Sequence, residues 1–331
     1  MPASFVLAAS LALAACGGTS EESASGSGSG GTLSLVAYST PQEAYEEIIP
    51  AFAKTEPGSG TKIKQSYGNS GDQSKAVIAG LPADVVALSL EPDVTKLVDE
   101  KLVAPDWNQT PTKGFVTNSV VVLGVRKGNP KNIKGWADLV KPGVEVITPN
   151  PFTSGGARWN VMAAYGSQIQ QGKTEEQAVD YLEQLFKNVP VQDKSARESL
   201  QTFTGGKGDV LISYENEAIT AQQKGEEIEY VIPDETILIQ NPIAVTTESK
   251  NAELAQAFVD YAVSEPAQQV FVEKGYRSVI PELNDEKTYP TPSGLFEITE
   301  FGGWDTVMKK FFDPEDSIMQ QIQESLGVST S

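Results

Sequence analysis

The chain has no histidine and a single cysteine, Cys16, among its 331 residues. One cysteine excludes a disulfide within the chain, and the two shortages together exclude Cys/His zinc sites. Without histidine, the general base of most serine and cysteine hydrolases is missing, which leaves carboxylate chemistry as the catalytic option. Positive charge is also scarce: 25 Lys and Arg stand against 44 Asp and Glu, a net charge of −19. That balance argues against nucleic acid or an anionic membrane surface as a main partner. An anionic ligand would need a locally favourable site within a repulsive field. The apolar run at the N-terminus, Phe5 to Ala15, is too short to span a membrane as a mature helix. What remains is an ordinary soluble composition, 39% hydrophobic and 21% charged, in a chain long enough for two domains.

The apolar run ends in Leu13-Ala14-Ala15-Cys16-Gly17-Gly18. This segment resembles the lipobox of bacterial lipoproteins, which implies signal cleavage before Cys16 and lipidation of its thiol. No Lys or Arg precedes Cys16, so the usual positive leader region is missing. Thr19 to Gly31 is rich in Ser, Gly and Glu and reads as a flexible tether. A lipid followed by such a leash would hold a soluble body at a membrane face.

The body opens with an alternating strand, Thr32 to Tyr38, and a helix over Pro41 to Phe52, with Ala44, Tyr45, Ile48, Ile49 and Phe52 at helical spacing. A strand near 61–66 and a Gly-Asn-Ser-Gly turn (68–71) precede a helix from Gln73 to Ala79. A strand over 83–88 and a helix near 92–100 follow. This βαβαβα order predicts a parallel, doubly wound sheet. Ser119 to Val125 is a continuous apolar strand, and Ile237 to Thr246 is another with a break at Asn241-Pro242. They are candidate crossings between two α/β lobes, and hinged lobes close on ligands. Between them lie a strand at 210–214 and helices near 157–171 and 174–188. Helices near 251–263 and 265–274 and one final helix over 304–324 complete the expected order.

One segment carries local chemistry. Val144, Val146, Ile147 and Thr148 form a β-branched run that enters Pro149-Asn150-Pro151-Phe152-Thr153-Ser154-Gly155-Gly156, and an apolar helical pattern begins at Trp159. A strand thus feeds a glycine turn that opens a helix. N–H groups at a helix N-terminus have no internal partner and the macrodipole makes that end positive, so the turn suits an oxyanion.

With this segment, Tyr67-Gly68-Asn69-Ser70-Gly71, Asp193-Lys194-Ser195-Ala196-Arg197 and Tyr214-Glu215-Asn216-Glu217-Ala218 resemble the sulfate-binding proteins of bacterial ABC importers over about residues 32–315. Trp107, Arg126-Lys127-Gly128-Asn129-Pro130 and Leu139-Val140-Lys141-Pro142-Gly143 add to the likeness. The resemblance implies a two-lobed periplasmic-binding-protein fold of type II. Residues 1–15 would be the signal, 16–31 the lipidated cysteine and tether, 32–117 with 247–331 the first lobe, and 118–246 the second. The C-terminal helices would be free to span both.

It also implies no enzyme activity and no cofactor. The partners would be a sulfate ion, ABC permease subunits with a cytoplasmic ATPase, and the membrane through the lipid anchor, with the chain acting as a monomer. The dehydrated dianion would be held by Ser39, Ser70, Ser154, Gly155, Gly156, Ala196 and Tyr214. Ser39 stands where the family commonly has aspartate, and Tyr214 where it has tryptophan. Arg158 and Arg197 lie inside two of the motifs, and two roles are open: damping the anion's charge from behind, or surface ion pairing. Asp72 reads as a first-turn residue facing solvent. A donor-only pocket suits sulfate, which has no proton, and leaves the O–H of hydrogen phosphate unmatched. The same scaffold could carry thiosulfate, molybdate, tungstate or phosphate. Readings of another class are a secreted hydrolase and an anion sensor.

Overall fold

Strands that run apolar and are each followed by an amphipathic helix bury both sheet faces by wrapping helices around them. The computed structural model describes residues 30–328. Cys16, the apolar run before it and most of the tether lie outside the described residues. The first body is built from β1 (Thr32–Tyr38), α1 (Gln42–Phe52), β2 (Lys62–Gly68), α2 (Ser70–Ile78), β3 (Val85–Ala87) and α3 (Glu91–Asp99). β1 lies between β2 and β3 and runs parallel to both. α2 starts at Ser70 rather than Gln73, because the Asn69 side chain accepts the Asp72 N–H at 2.8 Å and caps the helix early.

The chain continues through β4 (Phe115–Arg126), β5 (Val146–Ile147), α4 (Gly155–Gln170), α5 (Glu175–Lys187), α6 (Ala196–Thr204), β6 (Val210–Tyr214), α7 (Glu215–Gln223), β7 (Ile228–Val231) and β8 (Glu235–Val245). It ends with α8 (Ala252–Ala262), α9 (Glu265–Glu273), β9 (Gly294–Phe296), α10 (Gly303–Phe312) and α11 (Ile318–Ser325). α7, β7 and β9 have no counterpart in the sequence reading. α7 carries few apolar residues, so its helical period is weak.

The two long strands organise everything. β4 pairs with β8 through its first half and with β6 and β7 through its second. β8 pairs with β3 at its C-terminal end and with β9 at its N-terminal end. The antiparallel pair therefore sits at the middle of one continuous nine-stranded sheet and joins two α/β bodies. Asn241-Pro242 does not break β8. The missing proline N–H falls opposite a register shift between Phe115 and Thr117 of β4, where no regular ladder bond is required.

The expected final helix is two helices. Asp313 is extended (φ −62°, ψ 127°) because the following Pro314 disfavours helical backbone before it, and the chain restarts at Ser317, which caps α11. The first body's core gathers Tyr45, Phe52, Phe258 and Phe271. The second gathers Trp159, Tyr165 and Leu182 with Trp304, Phe311 and Met319 from α10 and α11. Trp159 and Trp304 meet edge to face at 4.7 Å. α10 also meets α3, so the C-terminal helices lie against both bodies. No helix among the described residues is long and apolar enough to cross a membrane.

Candidate functional site

In open α/β sheets, residues just past the carboxyl ends of the strands face the crevice where ligands bind. Ser39 and Thr40 follow β1, Ser70 follows β2, Ser89 follows β3, and Tyr214 ends β6. These residues, with Ser154, Gly155 and Gly156 of the α4 turn and Ala196 of α6, line one small cavity between the two bodies. All the ligand residues expected from the sequence are thus brought together, although they span Ser39 to Tyr214. No Asp, Glu, Lys or Arg is in the lining.

Three helices end on this cavity, and each is capped by its own side chain. Asn69 caps α2, the Ser154 hydroxyl accepts the Ala157 N–H at 3.3 Å, and the Ser195 hydroxyl accepts the Glu198 N–H at 3.2 Å. The caps satisfy one donor per helix and leave the first N–H groups, those of Ser70, Gly155, Gly156 and Ala196, without a helical acceptor. Each such terminus favours an anion by about 0.3–2 kcal/mol, so three together oppose the chain's repulsive net charge. Because capping occupies an oxygen lone pair, the Ser154 proton is free to donate. The Ser70 hydroxyl is different. Its proton goes to Asp93 Oδ2 at 2.7 Å and its oxygen accepts the Ser89 N–H at 3.0 Å, so Ser70 offers the cavity its main-chain N–H. Asp72 is exposed, as expected, and its carboxylate accepts from the Asn69 amide.

The cationic residues of the motifs stand behind the wall. Arg158 of α4 is buried; its Nε donates to the Pro151 carbonyl at 2.9 Å, and its Nη1 lies 3.7 Å from Asp93 Oδ1. Burial works against charge on Asp93, but Arg158, Lys96 and the Ser70 hydroxyl outweigh it and hold the carboxyl below its ordinary range. Arg197 of α6 reaches across to α1, where its guanidinium grips both oxygens of Glu43 at 2.5 and 2.8 Å. The same Nη2 reaches Glu217 at 3.1 Å and the Thr40 carbonyl at 3.2 Å, and Lys224 also closes on Glu43. Burial opposes ionisation of Glu43 as well, yet these donors hold it down at about 2. Each arginine is therefore bound to a carboxylate of the first body. Of the two roles left open by the sequence, surface pairing does not describe these largely buried contacts.

The family description for bacterial extracellular solute-binding proteins matches residues 33–277. The chain belongs to that family. The sulfate-binding protein of Synechococcus elongatus is 46% identical over 321 residues, covering 94% of this chain and 92% of that protein. The thiosulfate-binding protein of Escherichia coli (strain K12) is 37% identical over 295 residues, covering 83% and 86%. Among solved structures, the sulfate-binding protein SubI from Mycobacterium tuberculosis H37Rv superposes with a TM-score of 0.83 at 41% identity, over 85% of this chain and 99% of that one.

Within this solute-binding protein, Tyr214 and Ser89 form the part of the site that the sequence leaves least legible. The Tyr214 hydroxyl and Ser89 Oγ lie 2.8 Å apart, and either can donate. Burial drives the Tyr214 pKa well above its ordinary value, so the phenol stays a neutral hydroxyl. Ser89 is held from several sides: its N–H on Ser70, and its carbonyl under Trp159 Nε1 and Asn241 Nδ2, both at 3.0 Å. Its position just past β3 was the available signal; its partner, 125 residues away, was not visible in the sequence.

Proposed function

We propose that this chain is the sulfate-binding subunit of an ABC importer, taking the anion outside the cytoplasm and delivering it to the permease and its ATPase. The observation that carries the reading is the cavity itself: N–H and O–H groups converge on it from both bodies, and no charged side chain lines it. An unprotonated dianion can accept from every such donor. No carboxylate lines the cavity, so the proton of an anion such as hydrogen phosphate has only hydroxyl and carbonyl oxygens to accept it. Ser39, Ser70, Ser154, Gly155, Gly156, Ala196 and Tyr214 are the ligand residues in this reading, with Arg158 and Arg197 pairing the carboxylates behind them. The relatives named for sulfate at 46% and 41% identity support it.

The lobes divide near residues 117 and 246, with β4 and β8 as the crossings, and the protein works as a monomer. Cys16 carries the lipid that keeps it at the outer face of the membrane. Cys16→Ala in a full-length precursor is expected to release the protein from membrane fractions; equal retention of both forms would refute the anchor.

Titration calorimetry with sulfate, thiosulfate, molybdate and phosphate tests the central reading. Sulfate is expected to bind tightly, and small-angle scattering to report a smaller radius when it does. The relative named for thiosulfate at 37% identity makes that anion the competing ligand. Tighter binding of thiosulfate than of sulfate would transfer the role to it, and no heat from either would refute the reading.

A further inference from the structure

We propose that Ser89 and Tyr214 form a reversible hydroxyl relay that lets this cavity accept a monoprotonated tetrahedral oxyanion, which makes Ser89 a specificity-determining residue. The inference rests on the oxyanion reading above and deepens it. Most groups around the cavity have their proton order fixed. Helix N–H groups only donate, the Ser154 and Ser195 oxygens each already accept one cap N–H, and the carboxylate of Asp93 fixes the proton of Ser70. Beside the cavity two hydroxyl pairs can run either way, Thr40–Tyr276 at 3.1 Å and Ser89–Tyr214 at 2.8 Å, and only in the second do both residues line the cavity, with both buried.

Two arrangements follow from the donor and acceptor capacity of a hydroxyl. In the first, Ser89 donates to Tyr214 and the phenol proton points at the ligand. The pair then acts as a donor, which suits sulfate. In the second, a ligand O–H donates to the Tyr214 oxygen, Tyr214 donates to Ser89, and the Ser89 proton turns to another ligand oxygen. The pair then takes up the proton of a ligand such as hydrogen phosphate, and no hydroxyl is left without an acceptor. The reversal needs two hydroxyls in series. With Ser89 truncated, a Tyr214 oxygen that accepts from the ligand has lost the partner for its own proton. The main-chain bonds of Ser89 to Ser70, Trp159 and Asn241 hold it in register for the exchange.

The experiment is calorimetric titration at mildly alkaline pH, where phosphate is a monoprotonated dianion and differs from sulfate chiefly by that proton. Selenate, unprotonated and larger than sulfate, controls for size. Ser89→Ala is expected to raise the sulfate-to-phosphate affinity ratio by about tenfold, the worth of one unmade buried hydrogen bond, while the sulfate-to-selenate ratio moves less than about twofold. Tyr214→Phe removes the hydroxyl that meets the ligand in both arrangements and is expected to weaken sulfate and phosphate together. A sulfate-to-phosphate ratio that Ser89→Ala leaves unchanged overturns the relay. Equal shifts in the phosphate and selenate ratios also overturn it, because the effect would then be one of space. Failure of the unaltered protein to bind phosphate at any measurable level overturns it as well. Failure of the unaltered protein to bind sulfate overturns the oxyanion reading itself.

Discussion

Adding one methyl group at Gly155 tests whether the cleft closes as tightly as the structure shows. Gly155 is the first residue of α4. An added Cβ would lie 2.7 Å from Ser89 Oγ, 2.9 Å from Ser89 Cβ and 3.1 Å from Leu90 Cγ. The first two distances are too short for real atoms, so something must move. Ser89 cannot easily retreat, because its N–H, carbonyl and hydroxyl are all engaged. Overpacking of this kind costs about 1–3 kcal/mol, or roughly five- to 150-fold in affinity. The clash exists only while the β3–α3 junction faces α4, so it burdens the closed, ligand-holding form. In the open form alanine replaces glycine in a helix, a change that favours the helix by up to about 1 kcal/mol. Gly155→Ala is therefore expected to bind sulfate more weakly while the ligand-free protein melts at the same temperature or higher. Titration calorimetry and ligand-free thermal melts measure the two halves. Sulfate affinity within about twofold of the unaltered protein would refute the tight approach of Ser89 to α4. A lowered ligand-free melting temperature would show that the clash is present without ligand.

Other outcomes follow from the same geometry. Tyr214→Phe removes a charge-assisted hydrogen bond and keeps the packing, so sulfate affinity is expected to fall by about ten- to a hundred-fold; unchanged affinity in calorimetry would make Tyr214 a packing residue. Glu43 is held at about 2 by Arg197 and Lys224, against an ordinary 4.5. A lowered carboxyl pKa contributes stability in full above the ordinary value, and that contribution is lost as pH falls from there towards the folded value. With sulfate bound, the unfolding free energies of the protein and its Glu43→Gln variant from urea melts are therefore expected to differ at neutral pH, by about 1 kcal/mol once solvent screening of the half-buried Glu43 is counted, and to converge as the pH falls towards 2. A difference that does not change with pH would mean that the charge of Glu43 is not what matters.

The parts of this protein set by a few neighbouring residues were legible. The β-branched run into Ser154-Gly155-Gly156 announces a strand, a glycine turn and a helix start, because turn chemistry and apolar period act over one or two turns. The same holds for the βαβ order of the first body, whereas the helix start at Ala196 came only with the family likeness. Even local signals failed where they competed. Apolar spacing ran past Pro314 and suggested one helix, but a proline ring and its missing N–H decide the matter within two residues. α7 was hidden because its sequence, Glu215 to Gln223, is polar enough to lack a clear face.

The sequence by itself determined most of the elements, the glycine turn that opens α4, and the absence of imidazole chemistry and of any disulfide within the chain. Its likeness to a family drew the candidate ligand residues together before any distance was known. The tertiary structure alone decided which donors remain free. It turned the Ser70 proton onto Asp93, set Arg158 and Arg197 against carboxylates of the first body, and placed Ser89 beside Tyr214. These are contacts between groups far apart in the chain. A hydroxyl's role depends on which acceptor the packing of two bodies brings within 3 Å of it, and no local pattern of residues encodes that distance.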